Sequence, residues 1–568
     1  MRKKALALLL VAACATQLVA CSGGGTGDTG STNQNKPDPG KTNQTEDANG
    51  GSELVDGKFK ETKKITVEVY NRNNDGGTDP KTNMYAQYIK DGMLKDHNVE
   101  VEFVDVSRWE EVTELNNLLA AGTAPDICVT YDYATIKTYA DRNGVQDLSK
   151  LVEENKDITP HLWDWLGETN IYWDKDPETG TLWAIEGKRA TSNRIVTFIR
   201  QDWLDELKLK EPTTKKEFEE TLIAFRDNAD KLLGENADKM IPYSVSYDVG
   251  WRAATLIESF IDPDISQREF YVNGFDDRKL TENGTKEAVR LLNKWYNDDL
   301  LWKDFTLYGS GDTTEDDFMK SGYVGAFSHN WDYPFRNGAD SINASLKRLV
   351  GEDAKFVAID PFEDSKGGHT KYVTSTAGDR KIFFPKTNDE PLASLLYLDW
   401  ISDPEHIQYL QLGDEGVTCE KLADGSYKSI AATGDAIINS QYNIDYTITC
   451  NGLNLGDAAK TAATMANSYA EIEPELVVRA NEIANIDAVH EQNVNVGNVE
   501  SENGMGTTLG EKRDICYDKA VAAPVADFDK TWDQYYKDYM SAGGKEIQKE
   551  REEKWVSTYG DVQELPKK

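Results

Sequence analysis

Leu18-Val19-Ala20-Cys21 sets a thiol directly behind small and apolar residues. A lipoprotein signal peptidase has a shallow pocket at its cut site, so small residues ahead of a cysteine are what it requires. Cys21 is expected to take a diacylglycerol and become the new N-terminus. Val11-Ala12-Ala13-Cys14 is a rival box that would leave the apolar run too short, and an ordinary cleaved signal with a chance cysteine is the plainer alternative. The remaining chemistry-bearing residues form no catalytic set. There is no Gly-x-Ser-x-Gly elbow, no His-Glu-x-x-His and no phosphate-binding loop, and the six histidines have no ligand spacing. Cys128, Cys419, Cys450 and Cys516 lie far apart with no Cys-x-x-Cys pair, and read as mostly free thiols with room for one bridge. With 99 acids, a carboxylate pair for glycoside hydrolysis can be nominated anywhere, so nomination proves nothing.

Two acidic loops invite a calcium reading. Asp174-Lys175-Asp176-Pro177-Glu178-Thr179-Gly180 alternates acids, but its Gly is displaced and no closing Glu follows at the right distance; Asn273-Gly274-Phe275-Asp276-Asp277 fits less well. Both read better as turn acids. No cofactor is expected, and a structural calcium ion has only these loops in its favour.

The elements that must carry any site begin after a leader. Arg2, Lys3 and Lys4 precede an apolar run from Ala5 to Ala13, the pattern of a secretory signal over residues 1–20. That run is shorter than the roughly 20 residues a membrane span needs. Residues 21–60 are mostly Gly, Ser, Thr, Asn, Asp and Lys, which bury too little surface to offset their ordering entropy and read as a tether. The rest is too long for one core and implies at least two lobes. The formal charge of −36 becomes more negative still when the three basic leader residues leave. The charge argues against nucleic acid and anionic lipid as partners, because both need a positive surface; a polyanionic ligand is disfavoured unless a local basic pocket exists.

In the body, Lys64 to Tyr70 alternates as a strand, Pro80 to Lys95 reads as a helix, and Val99 to Val106 as a second strand. Ser107-Arg108-Trp109-Glu110 has capping-box spacing ahead of a helix carrying Val112, Leu115 and Leu119, and a strand from Ile127 to Tyr131 follows. Strand, helix, strand, helix, strand predicts a parallel α/β sheet. The same grammar repeats with strands at Arg194 to Arg200, Tyr323 to Phe327 and Lys355 to Ile359. Helices are expected at Gln201 to Leu209, after Thr214 with Glu217 as a capping box, at Thr285 to Asp298, at Pro391 to Trp400, and at Pro404 to Leu412 behind Asp403. From Thr461 onward the chain reads as mostly helical.

These segments resemble the family 1 extracellular solute-binding proteins of ABC importers, and in particular their long lipoprotein members in Gram-positive bacteria. The resemblance is carried by Leu118-Leu119-Ala120-Ala121-Gly122-Thr123-Ala124-Pro125-Asp126-Ile127. It continues through Gln201-Asp202-Trp203-Leu204 to Pro212-Thr213-Thr214 with Glu217-Phe218, then Phe318 to Phe327, then Leu412-Gly413-Asp414-Glu415-Gly416-Val417. The blocks run in family order over about residues 64 to 420. Departures are Lys208, where a Gly usually ends the short helix, and the charged Asp414-Glu415 turn.

The resemblance implies an α/β, two-lobed periplasmic-binding-protein-like fold of type II, with a hinge and a ligand cleft between the lobes. The expected division is residues 61–190 with 375–450 for the first lobe and 191–374 with 451–568 for the second. Crossings are placed near Glu186 to Asn193, Tyr372 to Thr376 and Cys450. The implied ligand is a carbohydrate, most simply an oligosaccharide. Sugars offer hydroxyls and apolar C–H faces, which call for aromatic plates and planar hydrogen-bonding side chains. In parallel α/β lobes the ligand lies beyond the carboxyl ends of the strands. That rule selects Arg72, Asn73, Asn74 and Asp75, then Trp109, then Tyr131 and Asp132. In the second half it selects Tyr247, Asp248, Trp251 and Arg252, the cluster His329-Asn330-Trp331-Asp332, and Asp379 with Arg380. Trp109 could equally be a hydrophobic cap, Trp251 core, and Asn73 and Asp75 turn formers. Trp331→Ala is expected to abolish ligand stabilisation while leaving the unliganded melting point nearly unchanged; a large drop would make Trp331 core.

The resulting expectation is a monomeric receptor, lipid-anchored on the outer face of the cytoplasmic membrane, that hands its sugar to ABC permease subunits and catalyses nothing. The rivals are a secreted glycan-degrading enzyme and a glycan-capturing surface lipoprotein without a transporter.

Overall fold

The computed structural model describes residues 54–72, 78–167, 175–176, 179–190, 195–309, 312–373, 379–430, 432–490, 494 and 496–565. Cys21 and the leader, Asn73 to Asp75, part of the 174–180 loop, and the crossing segments at 191–193 and 374–376 lie outside the described residues.

Alternating β-branched residues fold Lys63–Asn71 and Val99–Ser107 into parallel strands, paired from Lys63↔Val99 to Asn71↔Ser107. The helix Met84–His97 joins them. Asn83 caps it by accepting from the N–H groups of Tyr85 and Ala86, and its Tyr85, Ile89 and Met93 face packs into the core. Cys128–Thr130 continues the sheet beyond a parallel Val67↔Ile127 bridge. Lys381–Phe383 then inserts antiparallel between Cys128–Thr130 and Ile185–Glu186. The buried faces of Ile65, Val67, Ile89, Ile382 and Leu398 form the core of this first lobe.

A second sheet runs in the order Phe356–Ile359, Ile195–Arg200, Val324–Asn330, Ile241–Ser244. It corrects the expectation of repeated parallel grammar. Ile195–Arg200 is antiparallel to both neighbours, and only Val324–Asn330 and Ile241–Ser244 pair in parallel. Both partners of Ile195–Arg200 come later in the chain, and local alternation does not encode the sense in which distant strands pair. Period-two alternation sends Ile199 to one face, with Trp203, Phe218 and Trp295, and Phe198 to the other, with Phe327 and Phe356. These cores share no residue with that of the first sheet, so the body has two lobes.

Local signals set several boundaries. Lys215–Asp227 starts where Thr214 accepts from the Glu217 N–H, a cap worth about 1 kcal/mol. Pro391–Trp400 and Pro404–Leu412 sit where their prolines put them, with Asp403 capping the second. Lys208 holds φ 57° at the end of Gln201–Leu207, a left-handed turn where glycine is easier. Two expectations need correction. Ser107 does not cap: the helix begins later, at Glu111–Ala121, and the Ser107 N–H is taken by the Glu114 carboxylate at 2.7 Å. The tether stops short of residue 60, because Leu54–Val55 pairs with Lys58–Phe59 and Phe59 is buried in the first core. All four body cysteines are buried free thiols. The C-terminal region is helical over Ala458–Ala466, Pro474–Asn485, Gly506–Val521, Phe528–Tyr539 and Lys545–Tyr559. Among the described residues no helix is long and apolar enough to cross a membrane.

At the hinge, Lys188–Arg189 lies parallel to Cys450–Asn451. The strands approach so closely that a Cβ on Gly187 would stand 2.7 Å from the Ile448 carbonyl oxygen, which leaves room for glycine alone.

Candidate functional site

A cavity of about 790 Å³ opens between the lobes. One wall is the end of Val324–Asn330 in the second lobe, where Asn330, Trp331 and Asp332 line the space. The Asp332 carboxylate accepts from Arg336 at 2.6 and 3.0 Å and from the Tyr469 hydroxyl at 2.8 Å. The first lobe contributes Trp165, from the helix Pro160–Leu166, and the hinge contributes Arg189 and Asn451. The indole N–H of Trp165 donates to the Thr449 carbonyl at 2.7 Å, which fixes its ring. Asn481 and Asn485 reach the cavity from Pro474–Asn485, whose Val477, Ala480 and Ala484 are buried.

Asp379 binds the hinge strands together. Its Oδ1 accepts from Asn451 Nδ2 at 3.1 Å and pairs with Arg189 Nη2 at 3.2 Å. Beside it, Arg380 is wholly enclosed and donates to the Ile444 carbonyl at 2.5 Å. Arg72 is likewise engaged, forming a two-pronged pair with Asp445 at 2.7 and 2.8 Å.

The second lobe also carries an aromatic stack. Tyr247 lies over Trp251 with ring centres 6.4 Å apart, Trp251 meets His329 edge-on at 4.9 Å, and His329 stacks on Tyr333 at 3.4 Å. His329 Nδ1 accepts the Asn330 N–H at 2.8 Å, so in the neutral ring the proton sits on Nε2, facing the Tyr247 hydroxyl at 3.3 Å. Burial, with Arg252 and Arg336 adding to it, pushes the imidazole well below its usual pKa. In the first lobe Arg108 sits over Tyr131 at 4.6 Å, Tyr70 at 5.2 Å and Trp109 at 5.4 Å. Trp109 is 68% exposed, an unusual cost for an indole without a partner surface.

A second cavity of about 650 Å³ joins Val112, Asp132 and Tyr133 of the first lobe to Asn498, Glu502 and Arg551 of the second. Among the described residues no group of three or more His, Cys, Asp or Glu is placed to hold a metal ion.

Two lobes, a strand-paired hinge and polar cavities between them describe a capture device, and residues 85–418 match the family described as bacterial extracellular solute-binding protein. The chain belongs to that family. Over 492 residues this solute-binding protein is 23% identical to the polygalacturonan/rhamnogalacturonan-binding protein YtcQ of Bacillus subtilis (strain 168), covering 83% of its own length and 89% of the relative. Among solved structures it resembles the S. pneumoniae substrate-binding protein FusA in complex with kestose, with a TM-score of 0.63, 13% identity, and coverage of 88% and 100% of the two chains. It also resembles the alginate-binding protein AlgQ2 without calcium ion, with a TM-score of 0.58, 14% identity, and coverage of 88% and 98%. The two structural likenesses establish the two-lobed fold.

Of the residues chosen by the strand-end rule, Asn330, Trp331 and Asp332 share the larger cavity, and Asp132 lines the second. Asp132 is partly spent inside its own lobe, accepting from the Thr135 N–H and hydroxyl. Tyr131, Trp251 and His329 belong to the aromatic groups just described. Two choices are placed behind the surface. Arg252 is fully buried and tied to Glu315 by two contacts of 2.8 Å, and Arg380 is fully buried against the hinge carbonyls. Each shapes the wall rather than facing the cleft. Trp331 is 8% exposed and packs edge-on to Tyr469, so it is core as well as wall. Its burial argues against the expectation that its loss would leave the unliganded melting point nearly unchanged.

The strand-end rule missed Trp165, Arg189, Arg336, Gln441, Asn451 and Asn481. Trp165 and Asn481 sit on helices, Arg336 and Gln441 at short 3-10 turns, and Arg189 and Asn451 end two-residue strands that are too short to show alternation in the sequence. One signal was available: in Pro474–Asn485, Asn481 and Asn485 are spaced four apart on one helix face, beside the buried Val477, Ala480 and Ala484.

Proposed function

We propose that the protein is a membrane-anchored extracellular receptor that captures an oligosaccharide between its lobes and delivers it to an ABC importer. The larger interlobe cavity carries this reading, because aromatic walls and amide side chains from both lobes converge on one space. Indole rings suit the C–H faces of a sugar, and amides both donate to and accept from hydroxyls. The names of the relatives support a carbohydrate cargo: one binds polygalacturonan/rhamnogalacturonan, one is seen with kestose, and one binds alginate. Lipidation of Cys21 would hold the receptor beside its permease, and closure about the Gly187 crossing would trap the ligand.

A thermal-shift screen against a panel of oligosaccharides tests this. A true ligand at a hundred times its Kd stabilises the folded state by about 2.7 kcal/mol and raises the melting point. Cleavage of the bound oligosaccharide at enzyme-like turnover would instead favour a glycan-degrading enzyme. Radiolabelled palmitate on the wild-type chain, lost in Cys21→Ser, checks the anchor.

A further inference from the structure

We propose that the cargo of the larger cavity is an uncharged oligosaccharide, and that Asp332 is the residue that keeps acidic sugars out. The inference rests on the carbohydrate reading of that cavity and narrows it. Two guanidinium groups border the space, and an acidic sugar would need at least one of them. Each already has a carboxylate partner, although the Nε of Arg189 is buried with no hydrogen-bond partner. Arg336 is gripped by both oxygens of Asp332, and Arg189 pairs with Asp379 across the hinge. Asp332 is 4% exposed and Asp379 1% exposed, so neither carboxylate can swing into water to release its partner. A uronate entering the cavity would meet one of these buried carboxylates at close range. Drawing the guanidinium away would leave a buried carboxylate unpaired, which is costly even though the arginine side chains themselves reach solvent.

The other charged lining residue is Asp457, which is exposed and accepts the Lys460 N–H at the start of Ala458–Ala466. It adds negative charge, not positive. What remains for recognition is neutral. Asn330, Gln441, Asn451, Asn454, Asn481 and Asn485 line the cavity. Asn481 Nδ2 donates to the Met465 thioether at 3.5 Å, a weak acceptor that a hydroxyl oxygen would replace. Hydroxyl groups, which donate and accept, fit amides; a carboxylate only accepts. The formal charge of −36 on the chain opposes a polyanion before contact as well.

The test uses the purified protein and two size-matched pools. One holds neutral oligosaccharides from fructan, arabinan, mannan and xyloglucan, and the other holds oligogalacturonides and alginate oligomers. Native mass spectrometry identifies what is captured, and calorimetry repeats the measurement at low and high sodium chloride. Capture from the neutral pool, with an affinity that changes less than about twofold between roughly 20 and 300 mM salt, is the expected result; exposed charge pairs would be screened over that range. Capture of uronates, weakened by salt, would overturn the inference while leaving the carbohydrate reading intact. Capture from neither pool would overturn both. Asp332→Asn keeps the side chain's shape and frees Arg336, so it should gain oligogalacturonide binding by tenfold or more. If the variant is folded by circular dichroism and shows no gain, Asp332 is not the determinant.

Discussion

Arg278 holds the Asp248 carboxylate through Nη2 at 2.6 Å and Nε at 3.0 Å, beneath a turn where two consecutive non-glycine residues have positive φ, 26° at Tyr247 and 44° at Asp248. Such backbone costs of the order of 1–3 kcal/mol per residue and persists only when its surroundings over-determine it. Here Asp248 also caps Val249–Arg252, and Gly250 leaves no room for a Cβ, which would come within 2.7 Å of Tyr517 and 2.8 Å of the Arg278 Cβ. The turn presents Tyr247 and Trp251. Arg278→Ala is expected to relax it and weaken ligand binding by tenfold or more in calorimetry, with the secondary structure retained by circular dichroism. Unchanged affinity would detach this turn from the site.

Trp109 and Trp331 should behave oppositely. Trp109 is 68% exposed, so Trp109→Ala should move the unliganded melting point little, by the equivalent of about 0.5 kcal/mol, and yet reduce ligand stabilisation. Trp331 lies in the core with Phe335 and Tyr469, and its truncation should cost about 3–5 kcal/mol before any ligand is added. Denaturant titration of both variants separates the two roles.

His329 is held neutral by burial, with Arg252 and Arg336 as the nearby cations and Tyr247 and Tyr333 as its ring-side neighbours. The unfolded chain takes up a proton near pH 6.5 that the folded chain refuses. Stability present above that pH is therefore lost as pH falls, by up to about 1.4 kcal/mol per pH unit. His329→Gln should lose less stability than wild type between pH 7 and pH 5, as read from melting points across that range.

Glu68 titrates in the other direction. Burial, with Glu111 and Glu114 nearby, pushes its carboxyl up to about 8, against one hydrogen bond from the Val129 N–H. The folded chain keeps a proton that the unfolded chain releases near its ordinary value of 4.5. Stability present below that value is lost as pH rises toward 8. Glu68→Gln removes this loss, so it should gain on wild type by a margin of roughly a few kcal/mol between pH 5 and pH 8. An identical pH profile for the two proteins would place Glu68 in contact with water.

Gly187→Ala puts a methyl group against the Ile448 carbonyl, where the crossing strands cannot part without breaking their pairing. A loss of about 1–3 kcal/mol is expected from such overpacking, measurable by urea titration.

The element pattern and the family were legible in the sequence because both are written locally. Alternation marked Lys63–Asn71 and Val99–Ser107, prolines and capping side chains marked Lys215–Asp227, Pro391–Trp400 and Pro404–Leu412, and the ordered blocks lay within the residues that match the family. Part of the cavity wall was legible too, since Asn330, Trp331 and Asp332 follow a strand whose end could be read. Tertiary structure decided the rest. It set Ile195–Arg200 and Lys381–Phe383 antiparallel, turned Arg252 and Arg380 inward, and brought Trp165, Arg189, Asn451 and Asn481 to one space. The reason is physical. Periodicity and caps report what a residue does with neighbours a few positions away. Which side chains meet across a cleft depends on where the chain crosses between lobes, and pairs such as Lys188↔Cys450 and Arg189↔Asn451 join positions hundreds of residues apart.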